Sequence, residues 1–168
     1  MIRPALPSDV PVLLALVREL ATYEKEPDAV EATEQQLLVG LFGPDPVASC
    51  HVALVDDEVV GFALWFRTFS TWTGRPGLWL EDLYVRPGHR GTGLGRALLV
   101  ELAGIAVERG WTRFEWWVLD WNEPARGFYS SLGALPQQEW TTWRVDGQSL
   151  QSLGGGDLAS TARPDSAC

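Results

Sequence analysis

Between Arg86 and Arg96 the sequence reads R-P-G-H-R-G-T-G-L-G-R, three arginines and four glycines in eleven residues of a chain whose net charge is −9. The apolar and aromatic run from Leu78 to Val85 ahead of it predicts a mostly buried strand, with Pro87 and Gly88 ending it. Behind it, Leu94, Leu98, Leu102 and Ile105 recur at helical spacing. A strand, a glycine-rich turn and a helix N-terminus make an anion site. Glycines let backbone N–H groups converge on one point, and the helix start adds the positive end of its dipole. A diphosphate is the occupant that fits. The dinucleotide fingerprint G-x-G-x-x-G fails, because the sixth position counted from Gly91 is Arg96. A phosphate-loop NTPase fails too, because it ends in Gly-Lys-Ser/Thr and Lys25 is the only lysine.

The second chemical feature is the pair Glu81-Asp82, two carboxylates inside an otherwise apolar strand, where burial without a purpose is costly. Strand alternation predicts that they point to opposite faces, so that at most one lines a given cleft. Six acids (Glu19, Glu24, Glu26, Asp28, Glu31, Glu34) stand against Lys25 between residues 19 and 34, either as a solvated surface or as a field that attracts cationic substrates.

Composition limits the rest. At 168 residues one domain is expected, residues 1–150, with 151–168 as a flexible tail of Gly, Ser, Ala and Pro. The acidic balance argues against nucleic acid as a partner, and no apolar run approaches the length of a membrane span. The N-terminus lacks the layout of a signal peptide, so a cytoplasmic location is expected. Cys50 and Cys168, with His51 and His89, give no metal cluster, and Cys50 reads as a small buried hydrophobe.

These features must be positioned by the elements around them. Ile2 to Ala5 predicts a short strand, and Ser8 a cap for a helix to about Thr22. Thr33 and Gln36 form a capping-box pattern before a helix over 34–41. Residues 50–55 and 59–69 predict strands joined at Asp56-Asp57-Glu58, with a loop over 70–77 before the strand at Leu78. A helix over 93–109 is capped by Gly110, and the alternation of 113–119 predicts a strand. Glu123-Pro124 opens a helix to about Leu132, and 140–145 predicts a last strand. The order β-α-α-β-β-β-α-β-α-β implies an α/β (α+β) fold, a mixed central sheet flanked by helices.

Arg90-Gly91-Thr92-Gly93-Leu94-Gly95 resembles the R-G-x-G-[LI]-G signature of the GNAT superfamily of N-acetyltransferases. Asn122 to Ala134 resembles the same superfamily's N-x-x-[AS]-x-x-[FL]-Y-x-x-x-G-[AF] segment. Tyr23-Glu24-Lys25, Leu80-Glu81-Asp82-Leu83-Tyr84-Val85 and Trp121-Asn122-Glu123-Pro124 resemble its spermidine/spermine (diamine) N-acetyltransferase branch, which includes thialysine acetyltransferases.

The resemblance spans roughly residues 2–150. It implies a GNAT fold with splayed central strands, and acetyl transfer from acetyl-CoA to a primary amine of a small diamine or polyamine by direct attack. It implies pantetheine pairing with the backbone of Leu83, Tyr84 and Val85, and pyrophosphate binding by Arg90, Gly91, Thr92, Gly93, Leu94, Gly95 and Arg96. Tyr129 aligns with the family's catalytic tyrosine, the acid that protonates the coenzyme A sulfur. Asn122 caps its helix or hydrogen-bonds the pantetheine arm, and Glu81 handles the amine, directly or through water. Tyr23, Glu24, Glu115 and Trp117 are the further substrate candidates, and a homodimer is implied by the branch. The alternatives are a lysine-like amino acid such as thialysine, which needs an arginine such as Arg67 or Arg75 for its carboxylate, and a non-catalytic acyl-CoA sensor.

Overall fold

The computed structural model describes residues 1–155. They fall into two compact units, Met1–Leu119 and a second beginning at Asp120.

The first unit holds a five-stranded sheet in the order β1-β2-β3-β4-β5. β1 is Ile2–Pro4, β2 Ser49–Val55, β3 Glu58–Ser70, β4 Arg75–Val85 and β5 Phe114–Trp116. β1 to β4 pair antiparallel and β4–β5 pairs parallel, so the sheet is mixed as expected. Helix α1, Val10–Tyr23, follows a 3-10 turn at Pro7–Asp9. Its start is organised by Asp9 rather than Ser8: the Asp9 carboxylate accepts from the Leu6 amide at 2.7 Å and from both terminal nitrogens of Arg3. That ion pair holds the Asp9 carboxyl below its ordinary range. Helix α2, Glu34–Phe42, carries the capping box at Thr33 and Gln36.

The β2–β3 hairpin turns through Asp56 and Asp57, both at positive φ, as a two-residue turn demands. The β3–β4 hairpin runs further than expected. Residues 75–77 are strand, with Ser70 opposite Arg75, and only 71–74 remain as turn. Proline and glycine in that stretch mask a strand that pairing with β3 enforces.

Leu13, Leu16 and Leu20 of α1 pack with Cys50, Val52, Phe62 and Tyr84 on one face of the sheet. Helix α3, Leu94–Glu108, packs on β3 and β4, with Leu98 and Leu102 fully buried. Cα partners in an antiparallel ladder share a face. Phe62 with Tyr84, Leu64 with Asp82 and Phe66 with Trp79 therefore form one row on the α1 face.

β5 is shorter than the strand expected over 113–119, since only three residues pair with β4. β4 runs on through Glu81–Val85 with no partner on that edge. Among the described residues β4 and β5 thus part after Leu80, at the last pair of the sheet order.

The second unit holds α4, Glu123–Ser131, and α5, Gly147–Gly155. The strand expected over 140–145 does not form. Its alternating residues are exposed (Trp140 72%, Trp143 91%), and alternation makes a strand only where a ladder partner is available. The expected tail is described only over 151–155, which are part of α5; its remainder lies outside the described residues. Among the described residues no helix is long and apolar enough to cross a membrane.

Candidate active site

The glycine loop connects the end of β4 to α3. Gly91 and Gly93 sit at φ 75° and 91°, and a Cβ built on either meets nothing within 4 Å. Space stands open before the loop, and left-handed backbone is what glycine supplies. Among the described residues no main-chain carbonyl accepts from the amides of Gly91, Thr92 and Gly93. Leu94, Gly95 and Arg96 form the first turn of α3, whose amides have no acceptor inside the helix. Six consecutive amides are thus available to an anion, which is what a pyrophosphate needs. Thr92 closes the turn, its hydroxyl donating to the His89 carbonyl at 2.6 Å. Replacing Gly93 by Ala forces a Cβ onto left-handed backbone, at a cost of about 1–2 kcal/mol. The expected result is a lower melting temperature together with weaker binding of coenzyme A in a titration.

The three loop arginines divide. Arg86 donates to Glu19 of α1 at 2.9 Å through Nη2 and at 3.1 Å through Nε. Arg90 turns back to the sheet. Its Nε donates to the Val85 carbonyl at 2.8 Å, and its guanidinium lies 4.6 Å from the Tyr23 ring centre and 5.3 Å from that of Tyr84. Arg96 is exposed and pairs with no carboxylate among the described residues. Of the three, only Arg86 is neutralised by a carboxylate among the described residues, so the loop amides with Arg90 and Arg96 carry the positive charge left for an anion. Leu83, Tyr84 and Val85 lie on the unpartnered stretch of β4, with the Val85 carbonyl already engaged by Arg90.

On the α1 face the carboxylates gather. The β3–β4 register shifts at one point: Trp65 is opposite Leu80 and Leu64 opposite Asp82, which leaves Glu81 as the extra residue of a bulge. The bulge overturns the simple alternation expected of Glu81 and Asp82. Glu81 is exposed and reaches back along its own strand, where its Oε2 accepts from the Trp79 indole N–H at 3.0 Å. Asp82 follows on the α1 face in the row of Cys50 and Leu64.

Burial pushes the Asp82 carboxyl up to about 6, with the charges of Glu81 and Glu24 adding to the rise. Burial also raises Glu24, at the C-cap of α1 beside Tyr23. Asp82 is thus an acid tuned toward neutral pH. The sequence favours Glu81 as the amine-handling acid; what singles out Asp82 is its place opposite Leu64 and two residues before the buried Tyr84, which only the strand register shows. Cys50 is buried and its thiol is pushed up to about 12, which fits a packing residue and not a nucleophile.

The remaining substrate candidates lie on β5 and just after it. Glu115 is the Cα partner of Trp79, and Trp117 meets Trp79 edge-to-face at 4.9 Å. Arg67 stands opposite Leu78, on the face away from Asp82. Arg75 is exposed at the far end of β4, seven residues before Asp82, roughly 20 Å along a strand. Neither sits beside the carboxylates.

In the second unit Asn122 is buried, and its side-chain oxygen accepts from the Ala125 amide at 3.3 Å as the N-cap of α4. Of its two expected roles, capping is the one formed within the chain. Tyr129 lies in the second half of α4, its ring 5.3 Å from that of Phe128. Among the described residues no group of His, Cys, Asp and Glu could hold a metal ion.

A parallel β4–β5 pair that parts beside a loop of open amides is the arrangement that the resemblance to the N-acetyltransferases implies. The family model described as "Acetyltransferase (GNAT) family" matches residues 13–134, and the chain belongs to that family. The thialysine N-epsilon-acetyltransferase of Sus scrofa is 37% identical over 166 residues, covering 92% of this chain and 97% of that protein. The human spermidine/spermine N(1)-acetyltransferase-like protein 1 is 35% identical over 162 residues, 90% of this chain and 23% of that longer protein. A solved integron cassette protein from the mobile metagenome of V. cholerae superposes with a TM-score of 0.77 at 28% identity, covering 92% of this chain and 96% of the other. The protein is an N-acetyltransferase of the spermidine/spermine acetyltransferase-like branch.

Proposed function

We propose that this chain transfers the acetyl group of acetyl-CoA to a primary amine of a small diamine or polyamine. The observation that carries the reading is the cluster of Glu24, Glu81 and Asp82 on the face of β4 that meets α1, with neither Arg67 nor Arg75 beside it. Among the described residues no ion pair neutralises these three carboxylates, and a cation is the partner that suits them. An ammonium placed there offsets the burial and the like charges that raise Asp82, and so stabilises its ionised form.

When bound, acetyl-CoA supplies a thioester whose carbonyl is attacked and whose thiolate departs. The amides of Gly91 to Arg96 and the Arg96 guanidinium hold its pyrophosphate, and the free edge of β4 at Leu83 and Tyr84 orders its pantetheine arm. Glu81 and Asp82 receive the ammonium and draw off its proton, directly or through water, since only the neutral amine attacks. Tyr23, Glu115 and Trp117 border the amine's chain. Tyr129 gives its proton to the departing sulfur. In this reading residues 1–150 act as one catalytic domain with 151–168 as a tail, and the enzyme works as a cytoplasmic homodimer. A second acceptor class, thialysine or another lysine-like amino acid, is favoured by the 37% identity to an enzyme named for thialysine.

The test is thiol release from acetyl-CoA with putrescine, spermidine, thialysine, lysine and a peptide amine, using wild type and Tyr129→Phe. Turnover of the polyamines is expected. Tyr129→Phe should lower kcat by about tenfold while leaving coenzyme A affinity unchanged, a modest effect because a thiolate is already a competent leaving group. Turnover of thialysine alone would move the acceptor to amino acids. No turnover with any amine would sink the acceptor assignment.

A further inference from the structure

Trp79 is not part of the chemistry assigned above, yet its indole N–H is spent on Glu81 Oε2, 3.0 Å away on the same strand. Residues two apart on a strand share a face, so Glu81 lies on the side of Trp79, and the bulge brings Asp82 to that same side. The indole is itself fixed. Phe66, its Cα partner on β3, lies at 6.4 Å and 32°, and Trp117 meets it at 4.9 Å and 82°, an edge-to-face pair. A glutamate exposed at a bulge has three free torsions and would sample solvent. With Oε2 tied to a ring that itself contacts two others, the exposed carboxylate is restrained, and Oε1 is left for a further partner.

We propose that Trp79 is a positioning residue for acetyl transfer: its N–H holds the Glu81 carboxylate in the orientation that receives the acceptor's ammonium. The proposal rests on the amine-handling role given to Glu81 above. It makes the aromatic trio Phe66–Trp79–Trp117 a support for a charge rather than a plain apolar wall, and it assigns a function to one of this chain's many tryptophans.

A double-mutant cycle on the full chain separates positioning from packing. Trp79→Phe keeps a ring between Phe66 and Trp117 but removes the N–H. It is expected to lower kcat/KM for the amine by about tenfold, chiefly through KM, with coenzyme A affinity unchanged. In a Glu81→Gln background the same replacement should change kcat/KM by less than about twofold, because the carboxylate it serves is gone. Trp79→His, which restores a ring N–H, should recover part of the loss. An equal loss from Trp79→Phe in both backgrounds would reduce Trp79 to packing, and wild-type kinetics for Trp79→Phe would overturn the proposal outright. Glu81→Gln with undiminished kcat/KM would instead remove the role of Glu81 on which the proposal stands. Loss of activity in Glu81→Gln with none in Trp79→Phe would leave that role intact and remove only the positioning.

Discussion

Asp82→Asn is expected to make the protein more stable at pH 7 and nearly inactive. The Asp82 carboxyl sits at about 6 in the fold, against 3.8 when unperturbed, because burial and the charges of Glu81 and Glu24 oppose its ionisation. The sign follows from proton counting. Between pH 4 and 6 the folded protein keeps a proton that the unfolded chain has released, so stability falls as pH rises through that window. Above pH 6 the whole penalty is present. Two units correspond to about 3 kcal/mol at full burial, and partial solvent access reduces this to about 1–2 kcal/mol. An amide of the same shape carries no such penalty. Urea melts should show Asp82→Asn ahead of wild type at pH 7 and level with it at pH 4. A constant difference across that range, or a less stable variant at pH 7, would contradict the tuning of Asp82. The kinetic half of the expectation is a fall of about 100-fold in kcat/KM, since the variant loses both an ammonium ligand and a proton acceptor. A carboxylate kept at a cost to stability, directly after the bulge residue Glu81, is what a functional site looks like energetically.

The sequence made the local devices legible and the register-dependent ones not. The capping box at Thr33–Gln36, the two-residue turn at Asp56-Asp57 and the left-handed cap at Gly110 each depend on a few neighbouring residues, and each formed where their chemistry placed it. The glycine loop was readable for the same reason. The bulge at Glu81 was not, because it exists only as a mismatch between β4 and the register of β3. That mismatch decides which way two adjacent carboxylates point. Trp140 to Val145 failed in the opposite direction: strand-like alternation was present, yet no strand forms there among the described residues. The arginines show a third limit. Arg86, Arg90 and Arg96 look equivalent in the sequence, but Glu19 neutralises the first and Tyr23, with Tyr84, takes the guanidinium face of the second, and the contacts to Glu19 and Tyr23 come from residues more than sixty positions away.

Arg90→Ala should therefore impair use of both substrates rather than acetyl-CoA alone. Its Nε ties the loop to the last carbonyl of β4, and its guanidinium packs on Tyr84 from the sheet and on Tyr23 from the end of α1. One side chain thus joins the anion loop to the helix end that carries Glu24. Truncation frees the Val85 carbonyl and two aromatic faces at once, and a displacement of about 1 Å at a reacting centre is enough to cost up to about 100-fold. The expected result is a fall of about 30- to 100-fold in kcat/KM, with KM raised for the amine as well as for acetyl-CoA. Arg90→Lys should rescue little of it. An ammonium is a compact, strongly hydrated charge, and it lacks the planar group that lies against two rings while donating along its edge. If Arg90 instead served mainly as a phosphate ligand, only the KM for acetyl-CoA would rise and lysine would restore most of it. Steady-state kinetics varying each substrate in turn, on the alanine and lysine variants, distinguishes the clamp from the phosphate ligand directly.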